Sequence, residues 1–242
     1  MSRKSRRNRP HPERQGPQAD NASEASRRRR SIVIGAVVAV LLAVLVGTLL
    51  FKGDRSQSSP GATTTNQDPL ASVHSPMLGD AGAKVHIVEF IDPACETCAQ
   101  FFPLVKQLMA ENPNRIRLSI RHVAFHDGSD YVVKLLEASR KQDKYLPTLE
   151  ALLASQAQWA PHHTVQPDLV LQAIAGVGLN IEQLLVDMDS PEVAQRMEQD
   201  RNDAVTLKVT ATPEYFVNGR PMPSFGLQQL QTLVSEALQS AY

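Results

Sequence analysis

Cysteine is almost absent from this chain: there are two in 242 residues, Cys95 and Cys98, both inside the stretch DPACETC. So small a supply excludes an all-cysteine zinc centre, which takes four ligands. An overall charge bias is also missing, since 25 basic residues balance 25 acidic ones. No internal repeat is visible, which sets aside solenoid and propeller architectures. Large apolar residues are scarce in two stretches, the first 30 residues and residues 52–75.

The neutral balance conceals a strong segregation. Ten of the basic residues, among them the run Arg27 to Arg30, fall in the first 30 positions beside only Glu13, Asp20 and Glu24. That segment carries a surplus of seven positive charges, and the rest of the chain carries the matching negative surplus. A basic arm is a phosphate binder in many proteins, yet the apolar run next to this one argues for a membrane and against nucleic acid. Ile32 to Phe51, IVIGAVVAVLLAVLVGTLLF, is free of charge. At ~1.5 Å per residue such a helix spans the ~30 Å hydrocarbon core. Positive residues flanking a span stay on the cytoplasmic side.

The expected organisation is set by this pattern. Residues 1–30 form a basic cytoplasmic tail and 31–51 a single transmembrane anchor, with the chain beyond on the outer side. A cleaved signal peptide is the competing reading, but its apolar core runs ~7–15 residues and ends at a small-x-small site. This run is longer and ends LLFKGD. Residues 52–75, rich in Ser, Thr, Gly and Pro, read as a flexible linker. Residues 76–242 are then long enough for one well-buried core.

Within that outer part, KVHIVEFI (84–91) has the β-branched and aromatic character of a buried strand. Phe101, Leu104, Val105 and Leu108 mark one face of a helix that Pro103 should kink. RIRLSIRH (115–122) alternates as a half-buried strand, completing a βαβ unit. Helical periodicity dominates from about 126 to 208, with faces at Tyr131/Leu135/Ala138, Tyr145/Leu149/Leu152/Leu153 and Ile181/Leu184/Leu185/Met188. Ser190-Pro191 reads as the N-cap and first turn of another helix. A short strand at 213–217, the turn signal Asn218-Gly219 and a helix through Leu227, Leu230, Val234 and Leu238 close the chain. The expected order is βαβ, then helices, then ββα: an α/β class with a helical insertion at about 126–208, plus the one N-terminal transmembrane helix.

Three readings of Cys95 and Cys98 are open: a redox pair, half of a zinc site, or two structural residues. A zinc site needs two further ligands, which only histidines such as His162 and His163 could give. A structural disulfide closing so short a loop would stabilise little. The redox reading is favoured by position. The pair stands after a strand, on the first turn of a helix, where unpaired N–H groups stabilise a thiolate. Two intervening residues let the second sulfur reach a mixed disulfide on the first. An exported domain also meets an oxidising compartment.

SPMLGDAGAKVHIVEFIDPACETC, Pro103 five residues after Cys98, the segment DRNDAVTLKVTATPEYFVNG and the helical insertion together resemble the DsbA-like branch of the thioredoxin-fold disulfide oxidoreductases. The resemblance covers about 165 residues. It implies that Cys95 is the exposed nucleophile and Cys98 the resolving cysteine. Pro213 would be a cis-proline facing the pair, with the backbone of Thr212 offering strand-like hydrogen bonds to substrate. Glu89 would be a buried acid beneath the site, able to take or relay the Cys98 proton. Strongly oxidising members place a histidine inside the motif, where Glu96 and Thr97 stand here. Glu96 opposes a neighbouring thiolate, so a less acidic Cys95 and a less oxidising disulfide are expected. Thr212 before the proline is common in reductase and isomerase relatives.

The function expected is thiol–disulfide exchange on exported proteins bearing thiols or disulfides, through a mixed disulfide at Cys95. The alternatives are a reductase or isomerase kept reduced by a membrane donor, and a redox-inert peptide- or metal-binding module. No cofactor, no metal and no nucleic acid are implied. A membrane redox partner, a monomer, and a bacterial inner-membrane location with a periplasmic catalytic domain are expected. Trp159 and His162-His163 read as caps of a loop between insertion helices; His122 and His126 read as surface or structural residues, with lining of the groove near the cysteines as the alternative.

Overall fold

Val85–Ile91 forms β2, buried along almost its whole length because it is paired on both edges. The computed structural model describes residues 68–242. The tail at 1–30, the anchor at 31–51 and the linker as far as residue 67 lie outside the described residues. Among the described residues no helix is long and apolar enough to cross a membrane.

The strands are β1 (Met77–Gly79), β2, β3 (Ile116–His122), β4 (Glu214–Val217) and β5 (Arg220–Pro221), in the sheet order β1-β3-β2-β4-β5. β2 and β3 are parallel, with α1 (Glu96–Glu111) between them in sequence. β4 joins the other edge of β2 antiparallel. β1 is a short addition beyond β3 that the alternation pattern did not reveal. Asn218 (φ 47°) and Gly219 (φ 82°) both adopt left-handed conformations between β4 and β5, as the turn signal required. The insertion holds α2 (Ser129–Ser139), α3 (Tyr145–Ala154), α4 (Gln156–Trp159), α5 (Pro167–Ala173), α6 (Ile181–Met188) and α7 (Pro191–Thr206). α8 (Leu227–Ala241) closes the chain. Ser190 does occupy the N-cap of α7, but its side chain closes no capping hydrogen bond.

Strand alternation divides the core in two. Val85, Ile87 and Ile91 of β2 face a cluster with Cys98, Phe102 and Val105 of α1, Tyr215 and Val217 of β4, and Leu230 and Val234 of α8. Val88 and Phe90 face the opposite cluster with Ala204, Val209 and Phe216. Glu89 shares the parity of Ile87 and Ile91, which places its carboxyl on the α1 side. The buried positions of α1 are Cys98, Phe102 and Val105; Val105 belongs to the face read in the sequence, and Phe101 and Leu108 of that face pack against the same cluster. Phe101 is only half-buried, and its ring lies 4.6 Å from that of the exposed Phe225.

The linker ends earlier than its composition suggested. Arg121 Nη1 donates to the Pro69 carbonyl at 2.7 Å, and His74 Nε2 lies 2.8 Å from Asp200 Oδ1. Arg121 is fully buried on β3 and pairs with Asp200 and Asp203 of α7. A buried guanidinium demands such partners, and the segment 69–75 is fastened by supplying one. Composition cannot show an anchor whose other half lies far along the chain.

Candidate active site

β2 gives way to the turn Asp92-Pro93-Ala94, and Cys95 then occupies the N-cap of α1 with extended backbone (φ −82°, ψ 119°). The turn is organised by the fully buried Asp92. Its Oδ1 accepts from the Ala94 N–H at 2.9 Å. Its Oδ2 accepts from the N–H groups of Phe125 (2.7 Å) and His126 (2.9 Å), the His126 ring (2.8 Å) and the Ser129 hydroxyl (3.1 Å). A carboxylate so surrounded fixes the strand-to-helix corner to the loop before α2.

Both cysteines are free thiols. Cys98 is completely buried, and Cys95, expected to be exposed, shows only 5% of its surface. The reason is the loop opposite: the Cys95 thiol donates to the Thr212 carbonyl at 3.3 Å, which brings that loop onto the sulfur. The Thr212–Pro213 peptide is cis, and Pro213 is buried. The resemblance implied this geometry, and residues 117 positions apart in sequence therefore meet at one sulfur.

The two thiols are driven in opposite directions. Cys95 is lowered from its usual value to about 5, chiefly by the hydrogen bond from the Cys98 thiol. Burial opposes the shift, while the Thr212 side chain and the N–H groups of Cys98 and Thr97 add to it. Those N–H groups lie in the first helical turn, whose unpaired donors favour a charged sulfur, although the Cys95 side chain closes no capping hydrogen bond. Cys98 is pushed far above the usual thiol range by burial, then by its bond to Cys95 and by the charges of Cys95 and Glu89. Glu96, expected to oppose the thiolate, points into solvent. Its charge is screened there, and the donors around the sulfur outweigh it. Thr97 contributes through its backbone.

Glu89 is fully buried, with its acidity weakened to about 8. Burial is the main cause, the Tyr215 hydroxyl opposes it, and the Cys95 charge adds to it. Tyr215 donates to Oε1 at 2.9 Å, and Oε2 has no hydrogen-bond partner among the described residues. Glu89 is therefore a buried carboxyl that holds its proton over most of the neutral range.

Several residues enter the site unannounced. Gln156 Nε2 donates to the Ala94 carbonyl at 2.5 Å, and His163 Nδ1 lies 3.2 Å from the same oxygen. The His163 ring stacks on His126, with centroids 4.6 Å apart. His163 thus belongs to the motif's surroundings, in place of the loop cap expected for it. Trp159 is a fully buried core residue whose Nε1 donates to the Leu152 carbonyl. His122 is structural, accepting or donating at Tyr145 Oη (3.0 Å). Tyr215 lay only two residues past Pro213, and Asp92 opened an Asp-Pro turn signal; each was a visible clue. Gln156 and His163 had no local signal, because the insertion's path brings them in. Among the described residues no three metal-ligating side chains converge.

Comparison with known proteins agrees with the fold. The thioredoxin family model matches residues 71–236. A thioredoxin-like oxidoreductase from Silicibacter pomeroyi is 32% identical, with a TM-score of 0.63 over 73% of this chain and 99% of that one. Oxidised BdbD from Bacillus subtilis is 24% identical, with a TM-score of 0.60 over 69% and 94% of the two chains. The Na(+)/H(+) antiporter NhaA of Herminiimonas arsenicoxydans is 28% identical over 214 residues, 86% of this chain. The chain spans only about a third of that antiporter's length, 33%. The family model covers the sheet, both cysteines, the insertion and the cis-proline together, and the chain belongs to the thioredoxin family.

Proposed function

We propose that this chain is a thiol–disulfide oxidoreductase for exported proteins, with Cys95 as nucleophile and Cys98 as resolving thiol. The observation that carries the reading is the opposed acidity of two thiols on one helical turn, facing the cis Thr212–Pro213 bond. At neutral pH Cys95 is a thiolate and Cys98 holds its proton. When Cys95–Cys98 is a disulfide, a substrate thiolate attacks Cys95 and Cys98 leaves. A second substrate thiolate then releases Cys95 and carries away the new disulfide. In the reverse direction the Cys95 thiolate attacks a substrate disulfide, and Cys98 resolves the mixed species.

The Glu89 carboxyl serves the Cys98 steps. The Cys95 charge raises both Glu89 and Cys98. Once Cys95 is tied into a mixed disulfide that charge is gone, so both pKa values fall. Cys98 then gives its proton more readily, and the ionised fraction of Glu89, the form able to receive it, grows. Stabilising the reduced form makes a pair more oxidising, so the acidic Cys95 favours donation of disulfides over the reductase or isomerase alternative. The Thr212 carbonyl, held near the sulfur, is placed to pair with an extended substrate backbone.

The setting belongs to the same proposal. A basic tail and a single anchor hold the catalytic domain on the periplasmic side of the bacterial inner membrane, where a membrane partner renews its redox state. No cofactor enters the exchange. Replacing Cys98 by Ala in the full chain should accumulate mixed disulfides with envelope proteins that a thiol reductant releases, and Cys95→Ser should accumulate none. A folded Cys98→Ala protein that traps nothing would overturn the reading and favour a peptide-binding module.

A further inference from the structure

The peptide that leads into Cys95 is held from outside the thioredoxin core. Its carbonyl, on Ala94, receives Gln156 from α4 and His163 from the short 3-10 turn Pro161–His163. A carbonyl oxygen only accepts, so His163 carries its proton on Nδ1. His126 faces the Asp92 carboxylate through its own Nδ1, and the two rings stack at an interplanar angle of 21°. The loops bearing these rings are themselves joined, since Val165 N–H donates to the Asp127 carbonyl at 3.0 Å and Asp127 bridges Thr164. His162 (φ 52°) and His163 (φ 61°) are consecutive non-glycine residues in the left-handed region. That conformation costs ~1–2 kcal/mol per residue, and surrounding contacts must impose it.

We infer that His163 is a positioning residue for disulfide exchange: its Nδ1–H, with Gln156, clamps the Ala94 carbonyl and thereby favours the Cys95 thiolate. This deepens the proposed exchange reaction and rests on it. The physical reason is the partial negative charge of a carbonyl oxygen one peptide away from the sulfur. Two donors neutralise that oxygen and fix the turn that delivers Cys95 to the N-cap. With one donor lost, the oxygen regains its negative potential and its freedom to rotate. Both changes disfavour a thiolate, and with it the reduced form. The device is supplied by the insertion, while the motif itself contains no histidine.

The test compares the full chain with His163→Phe, which keeps an aromatic ring against His126 and removes the donor, and His163→Gln, which restores an N–H. Two quantities are read: the Cys95 thiolate titration by its ultraviolet absorbance, and the equilibrium with glutathione. In His163→Phe the titration should move to higher pH. The glutathione equilibrium should shift about three- to tenfold toward the disulfide, the range expected for one net hydrogen bond. His163→Gln should recover most of both shifts. Unchanged titration and equilibrium in His163→Phe, or equal shifts in both variants, would overturn the clamp. A wild-type protein that does not equilibrate with glutathione would instead defeat the exchange reaction, and the titration would still decide the clamp.

Discussion

The Tyr215 hydroxyl donates to Glu89 Oε1 at 2.9 Å, and the two residues are direct partners across β2 and β4. The register of this pair therefore sets the chemistry beneath the cysteines. Glu89 faces the α1 side by strand parity, and Tyr215 arrives on the same side because its strand is in register. Tyr215→Phe should raise the Glu89 pKa above its present value of about 8, since the hydroxyl favours the ionised form. The change in carboxyl titration is readable by infrared spectroscopy. Stability should fall only by ~0.5–1.5 kcal/mol, the net value of one hydrogen bond.

Glu89 should also give the fold a distinctive pH dependence. Its folded pKa of about 8 stands above the usual 4.5. A raised value means that its contribution is fully favourable below the unfolded pKa and is lost as pH rises through the folded one. Between pH ~4.5 and ~8 the wild type should therefore lose stability relative to Glu89→Gln, by a few kcal/mol at most. Cys95 acts in the opposite sense between about 5 and 9, being depressed, and is common to both proteins. Denaturant titrations of the pair across this range isolate the carboxyl. Parallel curves would mean that Glu89 is not held neutral by burial.

Much of this site was legible along the chain. The buried strand, the cysteines at a helix start, the turn at Asn218-Gly219 and the proline opening a strand are all local patterns. Glu89 was placed beneath the site by the resemblance, and its burial follows from a strand covered on both faces. The parts that could not be read depend on where the insertion runs. Nothing near Gln156 or His163 announces a partner at Ala94, and nothing near His74 announces Asp200. Glu96 differs from expectation for a related reason: adjacency in sequence suggests repulsion of the thiolate, whereas the helix turns its side chain into water.

Asp92 carries a large share of the corner's stability. Asp92→Ala removes an acceptor from four groups at Oδ2 and one at Oδ1, several of them buried. Donors left without partners cost ~1–3 kcal/mol each, partly recovered by water at the half-exposed His126. The expected loss is ~3–5 kcal/mol, the scale for breaking a buried charged network. Ser129→Ala, which deletes one donor at 3.1 Å, should lose about 1 kcal/mol. Comparable losses in the two variants, measured by chemical denaturation, would show that Asp92 is not the hub.

The two sulfurs should differ sharply in reactivity. With Cys95 lowered to about 5 and Cys98 pushed far upward, only the first is a thiolate at neutral pH. Alkylation of the reduced protein by iodoacetamide at about pH 7 should label Cys95 alone, as peptide mapping would show. Its low exposure will slow the absolute rate without moving the midpoint, because the midpoint reports ionisation and not access. The rate should rise with pH around a midpoint near 5. In Cys98→Ala the midpoint should move upward, since the hydrogen bond from Cys98 is the largest single cause of the shift. A wild-type midpoint at about 8 to 9, the range of an ordinary thiol, would mean that the thiolate is not stabilised at this helix start, and the asymmetry on which the exchange mechanism rests would be lost.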